Sequence, residues 1–369
     1  METLYRKYRP QKFAELVGQN HIRAVLEGEL IRGRIAHAYL FAGPRGVGKT
    51  TVARIMAKTV NCVKRTKTES EPCGTCEACV DIGSGRAMDV IEIDAASNTG
   101  VDHVREHIIA NAQFAPSRWA YKVFIIDEAH MLSTASWNAL LKTLEEPPAH
   151  AIFILATTEL HKVPDTIISR CQRFDFKKMT NEEIVHALRE VVVREKVRVA
   201  PAVFDSIARA AQGGLRDALS LLGQVLVLDA KEITLEQASL VLPESHRALV
   251  LELVGLIAAR NAAASVRAIG RLVDEGVELE SFTKETIEIL REMLLQKLAE
   301  GDSMIPSDTT AVHRDALARL RPTEVAAMTQ RMHEARRGLD RADIVQLPLE
   351  LAAVELCFLR EIEKSPVRT

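Results

Sequence analysis

The sequence has few aromatic residues, almost no net charge and no long apolar run. Aromatic residues make up only 4% of the 369 positions, so Leu, Ala, Ile and Val supply most of the apolar surface, which favours helices. The formal charge is −2, so a nucleic-acid partner would have to meet locally clustered basic side chains. Since no stretch of about 18 apolar residues exists, we expect no membrane-spanning helix.

The first residues, METLYRKYRP, lack the apolar core of a secretory signal peptide. Four of the six cysteines lie close together, which in a chain of this size favours a metal site over disulfides. We therefore expect a reducing, cytoplasmic setting. A hydrophobic fraction of 47% with 27% charged residues is ordinary for a globular protein, and the length allows two or three domains.

Five short apolar runs alternate with helical stretches in residues 1–178. Each run is nearly continuous in Val, Ile, Leu and Phe, as in a parallel strand that is buried on both faces. The pattern predicts a doubly wound α/β domain that binds its ligand at the carboxyl ends of the strands. The predicted strands are Ala38–Ala42, Asp89–Ile93, Tyr121–Ile126, Ala151–Thr157 and Cys171–Phe176.

Helical periodicity dominates the rest of the chain. Thr180 and Glu183 have the spacing of a helix capping box, and the pattern continues to about Leu242. Pro243 marks a boundary, after which the sequence is rich in Leu, Ala and Arg. We expect a small helical domain over 179–243 and a second all-helical domain over 244–369.

Residues Gly43–Thr50 match the phosphate-binding pattern GxxxxGK[ST]. The glycines let successive backbone amides point at phosphates, Lys49 would reach the β- and γ-phosphates, and Thr50 would hold Mg²⁺. A plain glycine turn is the alternative. The preceding apolar run and the helical stretch Thr51–Asn61 favour the phosphate loop, and hence ATP with Mg²⁺ as ligands.

The apolar segment Val123–Ile126 is followed by two carboxylates. Asp127 suits a contact to Mg²⁺, and Glu128 suits the base that polarises an attacking water. A solvated acidic turn is the alternative, but the phosphate loop makes the catalytic interpretation the stronger one.

Four cysteines have the spacing C-x₁₀-C-x₂-C-x₂-C and suit a closed, tetrahedral zinc site within a module of about residues 60–82. An iron–sulfur cluster is the chemical rival, but the expected downstream cysteine followed by proline is absent. Unligated thiols remain a third possibility. Cys171 and Cys357 are interpreted as buried apolar residues. The predicted ligands are Cys62, Cys73, Cys76 and Cys79.

Several further motifs occur along the chain. They are Tyr8-Arg9-Pro10, Phe13, Val17-Gly18-Gln19, Asp127–Leu132, Asn138–Pro148, Ala156-Thr157-Thr158, Ser169-Arg170-Cys171 and Gly213–Ser220. Together these motifs resemble the gamma/tau family of bacterial DNA polymerase III clamp-loader subunits, a branch of the AAA+ ATPases. The resemblance is close over about the first 240 residues and is limited to helical character beyond them.

The resemblance implies an AAA+ fold with a five-stranded parallel sheet, an inserted zinc module, a helical lid domain and a helical collar that oligomerises. A plain helical bundle is the alternative for the collar. Thr158 resembles the first sensor, with Thr157 its close competitor. Arg170 resembles an arginine finger that acts on the ATP of a neighbouring subunit, although it could be a surface arginine. Arg216 resembles the second sensor, and a local pair with Asp217 is its alternative.

The same resemblance implies that the amino-terminal segment lies beside the adenine and that further residues of the phosphate loop contact the nucleotide. The residues expected to bind the nucleotide are Tyr5, Tyr8, Arg9, Pro10, Val17, Gly43, Gly46, Val47, Gly48, Lys49, Thr50, Thr51 and Arg216.

The function implied is that of an ATPase motor subunit, within the DNA polymerase III holoenzyme, that loads the sliding clamp onto primed DNA. The implied partners are the delta and delta-prime subunits, further gamma/tau copies, the sliding clamp and primed-template DNA. The polymerase core and the replicative helicase would join them if the natural chain extends beyond residue 369. Candidate DNA contacts are the helix start at 97–100, Arg105 and Lys142, the last of which could be a solvated helix charge.

Two other functions fit parts of the sequence. A AAA+ branch-migration motor would share the phosphate loop, but the cysteine module and the Ser-Arg-Cys stretch argue against it. A scaffold subunit with an inactive nucleotide site would share the fold, but an intact Lys49, Asp127 and Glu128 argue against it.

Overall fold

The computed structural model describes residues 2–66, 68–97, 100–228, 232–242, 246–299, 317–318 and 320–358. The chain divides into two compact units, Met1–Pro243 and Glu244–Thr369. None of the helices in the described ranges is both long and apolar enough to cross a membrane.

The first unit contains one five-stranded sheet. Its strands are β1 (Ala38–Ala42), β2 (Val90–Asp94), β3 (Lys122–Asp127), β4 (Ala151–Thr157) and β5 (Gln172–Asp175). They lie in the order β2-β3-β4-β1-β5, and every pairing is parallel. The predicted parallel sheet is confirmed, and the carboxyl ends of all its strands meet at one edge.

Helices cover both faces of this sheet. Side chains of the central strands alternate between two apolar clusters, so Tyr39 and Phe41 pack on one face and Leu40 on the other. The α-helices before residue 180 are α1 (Leu4–Lys7), α2 (Asn20–Arg32), α3 (Lys49–Asn61), α4 (Glu77–Ser84), α5 (Val101–Val104), α6 (Ala110–Gln113), α7 (Thr134–Glu145) and α8 (Asp165–Ile168). Short 3₁₀ turns and a π-helical turn are Phe13–Glu15, Ala129–Met131, Leu160–Lys162 and Arg105–Ile109.

Burial on both faces was expected for all five strands and is wrong for two of them. β1 and β4 are buried throughout, and β3 is buried except at Asp127. β2 and β5 each keep only one buried residue, Ile93 and Phe174. These strands form the edges of the sheet, where a single neighbour covers one side only. Both strands contain charged residues that are exposed, Glu92 in β2 and Arg173 and Asp175 in β5.

The residues that follow β5 form a small domain around its own apolar cluster. It contains α9 (Asn181–Glu195), α10 (Pro201–Ala210), α11 (Leu215–Leu226) and α12 (Leu235–Ser239). The capping box of Thr180 and Glu183 is present as predicted. The sequence did not reveal the parallel pair β6 (Arg198–Val199) and β7 (Glu232–Ile233), because two-residue strands carry no periodicity.

The described residues of the second unit form an all-α structure around one core that includes Phe282 and Met332. Pro243 and the C-terminal tail lie outside the described residues. The helices are α13 (Arg247–Ala258), α14 (Ala262–Asp274), α15 (Leu279–Ala299), α16 (Pro322–Leu339) and α17 (Leu347–Cys357).

Candidate nucleotide site and metal centre

The loop between β1 and α3 has the backbone of a phosphate cradle. Its three glycines have positive φ angles, 149° at Gly43, 78° at Gly46 and 104° at Gly48. A Cβ atom on Gly43 would lie 2.4 Å from the Phe176 carbonyl oxygen, so no other residue fits there. Gly48 caps α3, and the first turn of that helix therefore adds its free amides and positive dipole end to the loop.

Lys49 is folded back onto this loop. Its Nζ atom donates to the carbonyl oxygens of Gly43 at 2.8 Å and Pro44 at 2.7 Å. The side chain is largely buried, and this burial lowers the pKa of Lys49. A phosphate oxygen could replace either carbonyl as the acceptor while keeping the ammonium within the loop.

A cluster of oxygen atoms lies where β2 and β3 end. The Thr50 hydroxyl donates to Asp127 Oδ2 at 2.8 Å. Asp94 pairs with Asp127 in the sheet register, and its carboxylate accepts a hydrogen bond from the Ala96 amide at 2.9 Å. Hydroxyl and carboxylate oxygens are the ligands that Mg²⁺ prefers. The sequence prediction missed Asp94 because it ended the second strand at Ile93.

Glu128 has a left-handed backbone, with φ at 47° and ψ at 43°, which is unusual for a residue with a side chain. Its Oε2 atom accepts a hydrogen bond of 3.0 Å from the Thr158 hydroxyl. The Thr157 hydroxyl is instead buried, accepts from the Glu159 amide at 3.0 Å and lies 3.1 Å from His130 Nδ1. Of the two threonines, Thr158 is therefore the one that touches the carboxylate beside the cleft.

His130 was not predicted to take part in the site. Its side chain is only 6% exposed, and Nδ1 lies 3.5 Å from Glu128 Oε2. Nε2 lies 3.4 Å from Glu159 Oε1. The imidazole thus lies between two carboxylates and one threonine. Its place two residues after Glu128 was the available signal, but sequence alone does not reveal the packing that fixes the ring.

The small domain after β5 contacts the phosphate loop through the start of α11. The Arg216 amide donates to the Gly46 carbonyl oxygen at 3.4 Å. The Arg216 guanidinium carbon lies 5.0 Å from the centre of the Tyr5 ring. Arg9 is also close by, and burial lowers the pKa of its guanidinium. The amino-terminal segment, the loop and α11 therefore enclose one space.

That space is a cleft of about 340 Å³. The predicted residues that line it are Tyr5, Tyr8, Arg9, Pro10, Val17, Gly46, Val47, Gly48, Lys49, Thr50, Thr51, Asp127, Glu128 and Arg216. Gly43 and Thr158 do not line the cleft themselves, but each forms a hydrogen bond with a lining residue, Gly43 with Lys49 and Thr158 with Glu128. The lining residues that the sequence analysis did not assign to nucleotide binding are Leu16, Gln19, Arg45, Val52, Asp94, Ala96, Met179, Leu215 and Leu219.

Arg170 lies outside the lining of this cleft, just after α8. Its guanidinium donates to the Thr166 carbonyl oxygen at 2.7 Å and to Glu145 Oε1 at 2.5 Å. The side chain remains one-third exposed. Arg170 is therefore placed at the surface, paired with the last residue of α7, and does not contact its own nucleotide cleft.

The structure describes only some of the candidate DNA contacts. Positions 98 and 99 lie outside the described residues. Gly100 caps the short helix α5. Arg105 lies 3.5 Å from the Asp102 carboxylate, and Lys142 is exposed on α7.

The four clustered cysteines meet at one point. Their sulfur atoms all lie within 4.8 Å of one another. The Sγ atoms of Cys73 and Cys79 are 3.9 Å apart, and so are those of Cys76 and Cys62. A tetrahedral ion with bonds of about 2.3 Å requires sulfurs about 3.8 Å apart, so the cluster fits a single ion.

Backbone amides favour the thiolate form of Cys73, whereas burial raises the pKa of Cys79 in the same cluster. Burial acts to raise the pKa of Cys73, but the amides of Thr75 and Cys76 donate to its sulfur and lower that pKa to about 6. The Cys73 amide donates to Cys62 Sγ at 3.3 Å. Amide donors around thiolates compensate the negative charge that four such ligands bring to a metal.

A parallel sheet in this order has a glycine loop after β1 and an Asp-Glu pair after β3. A helical domain packs an arginine against that loop. Together these features define a P-loop protein with an AAA+ fold.

Family models agree with this class. The delta subunit of DNA polymerase III matches residues 18–180, and the ATPase lid domain of the DNA polymerase III clamp loader subunit matches 183–231. Domain III of DNA polymerase III subunits gamma and tau matches 233–366.

Individual relatives are named as the tau or gamma/tau subunit of DNA polymerase III. DNA polymerase III subunit tau of Bacillus subtilis is 47% identical over 81% of this chain and 53% of its own length. That of Escherichia coli is 39% identical over 99% of this chain and 56% of its own length. The gamma/tau subunit of Mycobacterium tuberculosis is 43% identical over 86% of this chain and 55% of its own. The chain belongs to the gamma/tau family of DNA polymerase III clamp-loader subunits.

The chain spans about half the length of these curated relatives. Among solved structures, the RuvB T158V variant of Thermotoga maritima aligns with 78% of this chain and 92% of its own, at 18% identity and a TM-score of 0.48. The family assignment rests on the sequence relatives and the family models.

Proposed function

We propose that this chain is an ATP-hydrolysing motor subunit of a clamp loader, which uses ATP to place a sliding clamp on primed DNA within a DNA polymerase III holoenzyme. One observation carries the proposal: a single cleft is lined by Lys49, by the hydrogen-bonded Thr50 and Asp127, and by Glu128, whose carboxylate accepts a hydrogen bond from Thr158. A loop that only bound phosphate would not need a carboxylate placed to polarise water.

Each group in the cleft has one task in this proposal. The loop amides and Lys49 hold the β- and γ-phosphates, and Thr50 and Asp127 hold the Mg²⁺ that neutralises phosphate charge when bound. Glu128 polarises the attacking water, and the hydroxyl of Thr158 orients its carboxylate. Arg216 contacts the nucleotide of its own subunit from the lid domain.

Arg170 completes the site of the neighbouring subunit. Its position away from its own cleft supports action across a subunit boundary, where a guanidinium would stabilise charge on the transferring phosphoryl group. Hydrolysis would then depend on assembly. The proposed partners are other gamma/tau copies, the delta and delta-prime subunits, the clamp and primed DNA. We place this assembly in the cytoplasm, at the nucleoid.

The steady-state rate of ATP hydrolysis tests this function. We expect a slow rate for the chain alone and an increase of about tenfold or more when companion subunits, sliding clamp and primed DNA are all present, because the neighbour's arginine is then supplied. A rate that none of these components changes would contradict the motor proposal. Absence of any hydrolysis with intact nucleotide binding would indicate a scaffold subunit instead.

We also propose that the four-cysteine site holds structural Zn²⁺, because all four ligand positions are thiolates and none is left open. Metal analysis of the purified chain should find one zinc ion per chain. Cys76→Ser should lower the thermal midpoint by about 5–10 °C, since a lost structural metal removes folding free energy. Cys171→Ser is the matched control, because that sulfur lies outside the cluster. Equal midpoints and equal zinc content for both variants would refute the assignment.

A further inference from the structure

The cysteine module is joined to the amino-terminal segment by one carboxylate. Glu71 lies between two of the clustered cysteines, two residues before Cys73. Its Oε2 atom accepts the Phe13 amide at 2.8 Å, and its Oε1 atom accepts the Ala14 amide at 2.7 Å. Both carboxylate oxygens are thus committed to consecutive amides of another part of the chain. Hydrogen bonds to a charged acceptor are among the stronger ones in proteins.

The segment that Glu71 holds is flanked on both sides by the wall of the nucleotide cleft. Arg9 and Pro10 line the cleft just before it, and Leu16 and Val17 line the cleft just after it. Phe13 itself is completely buried in the core beneath the sheet. Shifting the backbone at residues 13 and 14 would therefore move cleft residues on both sides.

A second contact reinforces the same segment. The Lys58 ammonium, on α3, donates to the side-chain oxygen of Gln11. The side-chain Nε2 of Gln11 in turn donates to the Arg9 carbonyl oxygen at 2.8 Å, and the backbone amide of Gln11 donates to Glu15 Oε2 at 2.6 Å. The segment is therefore fixed from α3 at one point and from the cysteine module at another.

Glu71 lies in the loop that runs from Cys62 to Cys73 of the cysteine cluster. The Cys73 amide donates to Cys62 Sγ, so the two ends of the intervening loop are joined at the metal site. A metal ion would close this loop, whereas four free thiols would leave it with more conformational freedom. Ordering Glu71 against Phe13 and Ala14 would then cost more free energy when the ion is absent.

We propose that Glu71 couples metal occupancy of the four-cysteine site to nucleotide affinity, and thereby acts as a positioning residue for the cleft wall that Arg9, Pro10, Leu16 and Val17 form. The coupling rests on the nucleotide function proposed above. It is reciprocal by linkage, so nucleotide must also stabilise the bound metal. The metal site would then affect more than the stability of its own loop, because loss of the metal would also weaken nucleotide binding.

Two variants of the full chain separate this coupling from a general loss of stability. Glu71→Ala removes the contact to residues 13 and 14. Glu69→Ala is the matched control, because the Glu69 carboxylate accepts the Thr66 amide at 2.9 Å within the same loop. With zinc content verified as equal, we expect Glu71→Ala to bind a fluorescent ADP analogue about tenfold more weakly. The control should remain within about twofold of the parent.

The second measurement is zinc release to a chromogenic chelator with and without saturating ADP. ADP should slow release about fivefold in the parent and in Glu69→Ala, but not in Glu71→Ala. If Glu71→Ala fails to fold, Glu71→Gln, which keeps one acceptor oxygen, should show intermediate values of both quantities.

Equal ADP affinity in Glu71→Ala and the parent, or equal slowing of zinc release by ADP, would overturn the coupling while leaving the nucleotide proposal intact. A parent chain that binds no ADP at all would instead refute the nucleotide proposal, and the coupling with it.

Discussion

Replacing Lys49 with alanine is expected to lower ATP turnover by about a thousandfold or more, because the loop holds this ammonium buried against its own carbonyls, where it can reach the phosphates. Lys49 is largely buried, and its two carbonyl partners belong to the same loop. The remaining amides of the loop cannot replace a full positive charge in a partly desolvated site.

Turnover should be measured in the complete assembly with clamp and primed DNA, and ADP affinity on the chain alone. Lys64→Ala, which removes an exposed lysine of the cysteine module, is the control for a general effect of lost charge. The thermal midpoint of Lys49→Ala reveals whether the freed carbonyls disturb the fold. Turnover within tenfold of the parent would show that the cleft is not the hydrolytic site.

Arg170→Ala should have a similarly large effect on turnover in the assembly but almost none on the chain's own nucleotide affinity. We expect turnover to fall by about a thousandfold, in line with other arginine fingers supplied by a neighbour. ADP affinity should remain within about twofold, because Arg170 contacts Glu145 and Thr166 and does not line its own cleft. Arg173→Ala is the matched control, since Arg173 is a nearby exposed arginine paired with Asp175.

Mixing two inactive variants decides on which side of a boundary Arg170 acts. Chains with Lys49→Ala keep the finger but lose the cleft, whereas chains with Arg170→Ala keep the cleft but lose the finger. Assemblies that contain both should recover part of the activity wherever an intact cleft meets an intact finger. No recovery, together with weakened ADP binding by Arg170→Ala, would place the arginine in its own subunit's site.

Arg170 must leave its ion pair with Glu145 before it can act on a neighbouring subunit. The guanidinium lies against a carboxylate on the same chain, so reaching a neighbour's phosphates requires this partly exposed ion pair to be exchanged. Such pairs contribute only about 0–1 kcal/mol, so the exchange is easily driven by a phosphate partner. The pairing is therefore compatible with a finger that becomes engaged on assembly.

The features that could be predicted from the sequence are those that depend on residues close together in the chain. The loop around Gly48 is constrained by backbone geometry that few other residues allow, so its pattern alone locates it. The clustering of the four cysteines could likewise be predicted, because they lie close together in the sequence. The central strands were equally clear, since burial on both faces demands an unbroken apolar run.

The features that could not be predicted from the sequence depend on contacts between residues that are far apart in the chain. Asp94 and Asp127 become neighbours only through strand pairing, and a one-residue error in the end of β2 concealed the first of them. His130 and Thr157 likewise meet only across the sheet, and this contact distinguishes Thr157 from Thr158. The two-residue strands β6 and β7 lack enough residues for any pattern.

By itself, the sequence located the glycine loop, the Asp-Glu pair and the four clustered cysteines, because each is marked by residue types at short spacing. Only the tertiary structure decided which strands form the edges, which threonine touches Glu128 and that Glu71 ties the cysteine module to the cleft. Those features depend on backbone groups that are far apart in sequence, and their hydrogen bonds leave no trace in local composition.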